Sequence, residues 1–455
     1  MSQLLKWPVK IMKMKLIYNN FKFLFFPFFI FTLLVSCGGS TIANSTQIST
    51  TTLNNPQLLR YSIAESISST TFPPTSTIPY AVAWHDIVTP NEFLLPTDSC
   101  KHLDKTSNAS DDFRRYGWAY TSGFPRAAHL PATKQDLRVL IIPMTTTDSV
   151  FDQYDQNMIE DGMKLANEYY REMSYGAVGI EYDIAPQEFW VNLEGSLQSE
   201  GFFRPTDQSL PGADGVPHAD LSDKIVDILE IASQNITIAG YDVVGVISAW
   251  HPEFYAGHVY GPPEGIETAS GTIYSTFFKG GRAIMNPTAW VHEFGHAWLG
   301  FEDLYDLKDF NIVYLGRWDM MEWAGGFAEF NAWMRWRSDW ITDEQIRCLT
   351  PDADSLHYVE AVHLASDNPK GLAIRLDDYR VLFVESHRTN PNNPTLDHAI
   401  VYEIDTNYWS GQGPFRLVGI LDSVGSQLNA YDITFTLDDF DQNGDLIKVS
   451  FNKNS

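Results

Sequence analysis

The pattern His-Glu-Phe-Gly-His at residues 292–296 constrains the fold of this 455-residue chain more than any other feature. Histidines four positions apart lie one turn apart on the same face of an α-helix, so both imidazoles can reach one metal ion. The flanking residues favour such a helix, because Asn286 suits its N-cap, Pro287 its first position and Gly300 a left-handed C-terminal stop. The sequence therefore predicts a helix that presents two imidazoles to a common point.

These two histidines and the glutamate between them predict a zinc site with catalytic chemistry. His292 and His296 are the expected Zn2+ ligands, and Glu293 is the expected general base that takes a proton from a metal-activated water. With 12 histidines in the chain, a chance His-Glu-x-x-His pattern is expected in on the order of 2% of such sequences. The alternative is a surface helix with two solvated histidines.

The segment that follows the helix suggests where the third ligand lies. Residues 299–306 read Leu-Gly-Phe-Glu-Asp-Leu-Tyr-Asp, and with the helix they resemble the active site of the immune inhibitor A-like metallopeptidases, relatives of the metzincins. The resemblance implies Asp303 as the third zinc ligand. The family usually has its glycine three residues after the second histidine, whereas Gly300 lies four after His296, so Glu302 remains an alternative. On the thermolysin pattern, the ligand would instead come from a later helix, as Glu322 or Glu329.

The resemblance continues on both sides of this segment and covers roughly residues 136–450. Met321 matches the methionine turn beneath the metzincin zinc, where a thioether packs rather than binds the metal. The resemblance implies an α+β protein, in which a metzincin-like mixed α/β catalytic domain precedes a smaller all-β, sandwich-like domain. Further matches occur in the family's order at 168–176, 330–341, 383–388 and 401–405.

Hydrophobic periodicity indicates a similar organisation. Short β-branched runs alternate with amphipathic helices before residue 350, which is typical of a mixed α/β layer, and short alternating runs after it are typical of an all-β module. We place a domain boundary near Cys348, with a catalytic domain at 136–348 and a β domain at 349–455. The predicted strands are 137–142, 178–182, 243–249, 381–384, 399–402, 415–418 and 433–436, and the predicted helices are 159–173 and 221–233.

The N-terminal region has the features of an exported lipoprotein. Residues 1–36 combine a basic start with a Phe-rich apolar run, and Leu34-Val35-Ser36-Cys37-Gly38 resembles the bacterial lipobox, in which Cys37 is acylated. An ordinary signal peptide with a chance cysteine is the alternative. Residues 37–80 are a Ser/Thr-rich tether, and 81–135 are an N-terminal extension or pro-region. We expect an extracytoplasmic protein, lipid-anchored to the cell membrane or outer membrane, or secreted.

The charge of the chain narrows its partners. Lys and Arg total 31 against 57 acidic residues, for a net charge of −26, so nucleic acid and anionic lipid headgroups are poor candidates. The expected partners are protein or peptide substrates, with a membrane contact through the lipid on Cys37, and we expect a monomer. Relatives in the family carry calcium, so Ca2+ is a second expected metal. The acidic run 439–445 begins like a calcium loop but is better interpreted as a β-hairpin turn.

The remaining cysteines, Cys100 and Cys348, are most simply a disulfide in an oxidising compartment. Two unpaired thiols are one alternative, and a pro-region Cys100 that blocks the metal is another.

The leading hypothesis is therefore a lipid-anchored zinc-dependent endopeptidase. Two other functions remain open: a catalytically silent surface binding or adhesion lipoprotein on a peptidase-like fold, and a zinc hydrolase with a non-protein substrate. Tyr305 and His258 are candidates for stabilising an oxyanion, and a structural role is the alternative for each. The segment 251–265 either borders the substrate cleft or simply connects two elements.

Overall fold

The computed structural model describes residues 94–103, 120–202, 219–252, 254–306, 312–322, 328–351, 353–389, 397–408 and 410–452. The predicted signal peptide, the predicted lipidation site Cys37 and the predicted tether lie outside the described residues, as does much of the N-terminal extension. All of the described residues belong to one compact unit. Among the helices in these ranges, none combines the length and apolarity needed to cross a bilayer.

The described residues mix helices with several β-sheets. The helices are α1 (Gln153–Met173), α2 (Ala219–Ser233), α3 (Pro287–Ala297) and α4 (Ala332–Arg337). The strands before α3 are β1 (Leu137–Thr145), β2 (Ile180–Ile184), β3 (Val191–Asn192), β4 (Val243–Ser248), β5 (Tyr255–Tyr260), β6 (Ile266–Thr268), β7 (Gly271–Ile273) and β8 (Thr276–Gly281). The later strands are β9 (Ile346–Cys348), β10 (Ser355–Glu360), β11 (Gly371–Arg375), β12 (Arg380–His387), β13 (His398–Asp405), β14 (Phe415–Leu421), β15 (Gln427–Ala430), β16 (Ile433–Phe440) and β17 (Gly444–Phe451).

The first sheet has the strand order β2-β1-β4-β8-β5, and the short β3 also pairs with β1. Strands β2, β1, β4 and β8 run parallel, whereas β5 is antiparallel to β8 and lies at the edge. Successive side chains of β1 point to opposite faces: Val139 and Ile141 join the cluster that contains α1 and α3, and Leu140 and Ile142 join the cluster that contains α2. The predicted elements of this region are confirmed, with α1 longer at its N-terminus than expected.

Helix α1 supports the histidine helix α3. It begins with a capping box in which Asp152 and Asp155 each accept from the other's backbone N–H. A Cβ at Gly162 would overlap the indole of Trp290, so the missing side chain lets α3 approach closely. The buried Tyr170 hydroxyl donates to the Val291 carbonyl over 2.9 Å. These contacts fix the position of α3 beneath the sheet.

The C-terminal region forms two further sheets, with strand orders β14-β13-β12-β11-β9 and β10-β17-β16-β15. Side chains from both sheets share one buried apolar cluster, an arrangement compatible with the expected all-β module. The four strands predicted here from alternation are confirmed. The acidic run 439–445 contains the turn between β16 and β17, as predicted, and Asp441 accepts there from the N–H groups of Asn443 and Gly444.

Residues 94–103 attach to this C-terminal region. Cys100 and Cys348 form a disulfide with Cα atoms 5.9 Å apart, which confirms the predicted pairing and excludes free thiols or a metal-blocking Cys100. Leu94 pairs with Leu349, and the Leu95 N–H donates to the Cys348 carbonyl over 2.9 Å. Part of the predicted extension is therefore integral to the fold.

Replacing both Cys100 and Cys348 with serine should destabilise the protein by about 2–5 kcal/mol, because the bond joins positions 248 residues apart and so restricts the unfolded chain. Denaturant unfolding measures this as a lower midpoint. Wild-type protein treated with a reductant should unfold at the midpoint of the double variant. Equal midpoints for the oxidised wild type and the variant would contradict the assignment.

Candidate metal centre

The sequence around α3 produces the turn that brings the third ligand back. Pro287 occupies the first helical position, as expected, whereas Asn286 is at the N-cap without a side-chain bond to the helix backbone. Gly300 has φ +66°, the left-handed conformation predicted for the helix stop. Its N–H donates to the His296 carbonyl over 3.0 Å, and the Phe301 N–H reaches the Gly295 carbonyl over 2.9 Å. The chain therefore reverses immediately after the second histidine.

Three ligand atoms converge at this turn. The Nε2 atoms of His292 and His296 are 3.1 Å apart, and each lies 3.1 Å from Oδ1 of Asp303. Both histidines are buried. Two atoms each bound ~2.1 Å from one zinc at a tetrahedral angle would lie ~3.4 Å apart. The triangle of donor atoms is thus close to the size that a tetrahedral zinc requires, and no other such group of His, Cys, Asp or Glu is found among the described residues.

The other ring nitrogens orient the two imidazoles. Nδ1 of His292 lies 3.2 Å from the Met320 carbonyl, and Nδ1 of His296 lies 2.6 Å from the Phe301 carbonyl. A carbonyl oxygen only accepts, so we infer that both Nδ1 atoms carry hydrogen and donate. Each Nε2 then directs a ligand atom toward the common point, which is the usual arrangement of metal-binding histidines.

Asp303 is held by the turn between β13 and β14. Its backbone N–H donates to Oγ of Ser410 over 2.8 Å, its carbonyl accepts from the Gly411 N–H over 2.9 Å, and its Oδ2 lies 3.3 Å from the Ser410 hydroxyl. Its other carboxylate oxygen, Oδ1, remains directed at the histidines. A contact from the distant C-terminal region therefore orients this ligand.

The alternative third ligands are engaged elsewhere. The Glu302 carboxylate accepts from the Ser122 hydroxyl and from the Ser410 N–H. Glu322 accepts from the backbone N–H groups of the segment 314–316, and Glu329 pairs with Arg335 over 2.6 Å. Of the four acidic residues considered from the sequence, Asp303 is the one that meets both histidines.

The electrostatics of the three groups favour a positive charge where they meet. Burial disfavours ionised Asp303, but the two histidines outweigh burial and hold the pKa of its carboxyl well below its usual range. Burial likewise disfavours a charged His296, but Asp303 and Glu293 reverse this effect and raise its pKa to about 9. The donor set is therefore suited to a cation.

Met321 packs directly beneath the histidine helix. A Cβ at Gly295 would lie 2.5 Å from its Sδ, so the glycine between the histidines makes room for the thioether. The Leu304 N–H donates to the Met321 carbonyl over 3.2 Å, and the Met321 N–H donates to the buried Asp319 carboxylate over 2.7 Å. The residue predicted as the methionine turn thus contacts both the helix and the returning ligand segment.

Glu293 lies against the edge strand. A Cβ at Gly257 would overlap its carboxylate, so the glycine in β5 accommodates the group. The segment 251–265, which the sequence left undecided, therefore contains a strand that borders the centre. His258 points to the opposite face of β5, where its Nε2 lies 2.9 Å from the Ser222 hydroxyl of α2, so its suggested oxyanion role is wrong. Tyr305 stacks against His292 with ring centroids 6.2 Å apart.

Tyr120 is a residue of the centre that the sequence did not reveal. Its ring lies 4.8 Å from that of His296, and its hydroxyl donates to the Val259 carbonyl of β5 over 3.0 Å. Burial, with the charges of Asp303 and Glu293, raises the pKa of Tyr120 well above its usual range, so the phenol stays neutral. Its local sequence carries no helical or strand pattern, and only the tertiary fold brings it here.

Replacing Asp303 with alanine should lower zinc affinity by at least about 100-fold, because it removes one of three converging ligand atoms. Metal analysis after dialysis, and competition with a chelator of known affinity, measure this loss. The matched control is Glu302→Gln, which changes the neighbouring carboxyl and should retain zinc. Loss of zinc in the control with retention in Asp303→Ala would reverse the ligand assignment.

Comparison with known proteins found no matching family model and no matching curated protein sequence.

Proposed function

We propose that this chain is a zinc-dependent endopeptidase of the immune inhibitor A-like, metzincin-like type, exported and lipid-anchored through Cys37. The observation that carries the proposal is the convergence of His292, His296 and Asp303, with Glu293 on the same helix. Two nitrogen ligands and one carboxylate, with a further position left for water or substrate, are the ligand set of many catalytic zinc sites. Ferrous iron accepts the same set, so metal analysis belongs to the test.

The mechanism assigns each group one task. Zinc, when bound, would activate a water molecule and polarise the scissile carbonyl. Glu293 takes the proton of that water on a carboxylate oxygen and passes it to the leaving amine. The helix fixes Glu293 one residue from a ligand, and contact with Gly257 limits where its carboxylate can move. The neutral side chain of Tyr120 packs against the ring of His296 at the border of the metal centre.

The edge of the first sheet supports a peptide substrate. Within the described residues β5 pairs with no strand other than β8, the Tyr120 hydroxyl donates to its Val259 carbonyl, and Glu293 lies beside Gly257. An extended peptide can add to such an edge by backbone hydrogen bonds, which do not depend on side-chain identity. A scissile bond held there would be close to both the donor triangle and the general base, so the arrangement favours a peptide over a small substrate.

Several features support the family and the location. The sheet, the histidine helix, the returning Asp303 and the underlying Met321 occur in the order that the sequence resemblance implies. The Cys100–Cys348 disulfide is typical of an oxidising compartment, which supports export. Acylation of Cys37 rests on the lipobox alone. Calcium binding stays a prediction.

Replacing Glu293 with glutamine should lower the rate of peptide hydrolysis by roughly 10²–10⁴-fold, because the amide cannot accept the proton. Zinc content should be unchanged, since the ligands remain. Casein digestion and cleavage of a quenched fluorescent peptide by zinc-loaded protein, with and without chelator, measure the effect. The exposed Glu267→Gln is the control and should match wild type. A fully active Glu293→Gln protein would refute the base assignment.

Replacing Gly257 with alanine tests the position of the base without touching a ligand. The added methyl group overlaps the Glu293 carboxylate, so we expect at least a tenfold lower kcat with zinc retained. Peptide cleavage kinetics measure kcat of the variant, and metal analysis of the same protein measures its zinc content. Wild-type kcat in this variant would show that the carboxylate need not occupy the observed position.

A further inference from the structure

Lys279 is a cation buried in the interior of the protein. It lies in β8, its side chain is inaccessible to solvent, and its Nζ has no hydrogen-bond partner among the residues that the structure describes. An ammonium group has three N–H donors, and leaving all of them unpaired in a buried position is costly. Residues retained at such a cost often serve a site rather than the core.

The register of the sheet places Lys279 beside the general base. In the β5–β8 pair, Lys279 is directly opposite Gly257, so the two residues share one face of the sheet. That face carries the Glu293 carboxylate, which fills the space beside Gly257. Nζ lies 5.3 Å from the ring centroid of Trp290, the residue one turn before Glu293 on α3. Lys279 and Glu293 thus enter the same narrow layer between strand and helix.

The pKa of Lys279 reflects both its burial and the nearby charge of Glu293. Burial lowers the pKa of Lys279 to about 8, and the charge of Glu293 acts in the opposite direction. At neutral pH most of the side chain therefore remains an ammonium ion. A purely structural lysine is the competing interpretation, in which contact with the Trp290 ring alone compensates burial.

On the basis of the proposed peptidase function, we propose that Lys279 is a positioning residue for Glu293. When substrate fills the cleft, its ammonium donates to one oxygen of the Glu293 carboxylate and turns the other oxygen toward the metal centre. Hydrogen bonds of this kind are often long in a substrate-free enzyme and shorten when substrate fills the cleft. The four-carbon stem of lysine allows the required movement of Nζ.

The test is a double-mutant cycle between Lys279→Met, which keeps the stem but removes the charge, and Glu293→Gln. In zinc-loaded protein, Lys279→Met should lower kcat about tenfold or more, leave KM within about twofold, and leave zinc content unchanged. In the Glu293→Gln background, the same change should alter the residual rate by less than about twofold. Equal fold-losses in both backgrounds, or a loss confined to KM, would overturn the proposal.

A second readout does not depend on activity. The thermal midpoint of all four proteins is measured in the same buffer, and the Lys279→Met shift is compared between backgrounds. Because the charges of Lys279 and Glu293 attract each other even without a hydrogen bond, the pairing predicts that Lys279→Met lowers the thermal midpoint more, or raises it less, when Glu293 is present than in the Glu293→Gln background. A structural lysine predicts the same shift in both, which would overturn the pairing.

The two readouts separate failure of this inference from failure of the proposed function. If wild-type protein cleaves no peptide, the proposed function fails, and the thermal cycle alone decides whether Lys279 and Glu293 interact. If wild type is active but both cycles are additive, the function stands and the positioning role is wrong.

Discussion

The Nε2 atoms of His292 and His296 and Oδ1 of Asp303, which can each donate a lone pair to a metal ion, are held 3.1 Å from one another. Their lone pairs repel one another unless a positive charge, from a proton or a metal ion, lies between them, and the surrounding contacts hold the three groups in this arrangement. Carbonyls of Met320 and Phe301 fix the two rings, and the left-handed turn at Gly300 returns the carboxylate. The rest of the site depends on this enforced convergence, because it determines where a cation can bind and where Glu293 can act.

The enforcing contacts come from distant parts of the chain. Ser410, in a turn of the C-terminal sheet, orients Asp303, and Tyr120 covers His296 from the N-terminal side. The buried Glu385 of β12 accepts from the N–H of Ala332 at the start of α4. The predicted catalytic and β domains therefore contact each other at the site itself, and the described residues of both belong to one compact unit.

Local patterns were sufficient for much of the fold. Hydrophobic periodicity predicts α1, α2 and several strands of the first sheet and of the C-terminal region. The spacing of the His-Glu-x-x-His pattern predicts the roles of His292, Glu293 and His296. The choice of Asp303 over Glu302 rests only on the family resemblance. The two carboxylates are adjacent in the sequence, and the sequence does not specify the turn conformation that decides which of them faces the histidines. Strand β5 was missed because Gly257 weakens a strand pattern, yet this glycine accommodates Glu293. The sequence does not predict the roles of Tyr120 and Ser410, because these roles depend on tertiary contacts with residues that are distant along the chain.

The most direct measurement is a crystal structure of the zinc-loaded protein with anomalous differences collected at the zinc edge. A zinc ion bound by these three residues should give one strong peak ~2.0–2.2 Å from His292 Nε2, His296 Nε2 and an oxygen of Asp303. A peak at other residues, or an absence of zinc there while the two imidazoles point to separate surroundings, would contradict this assignment.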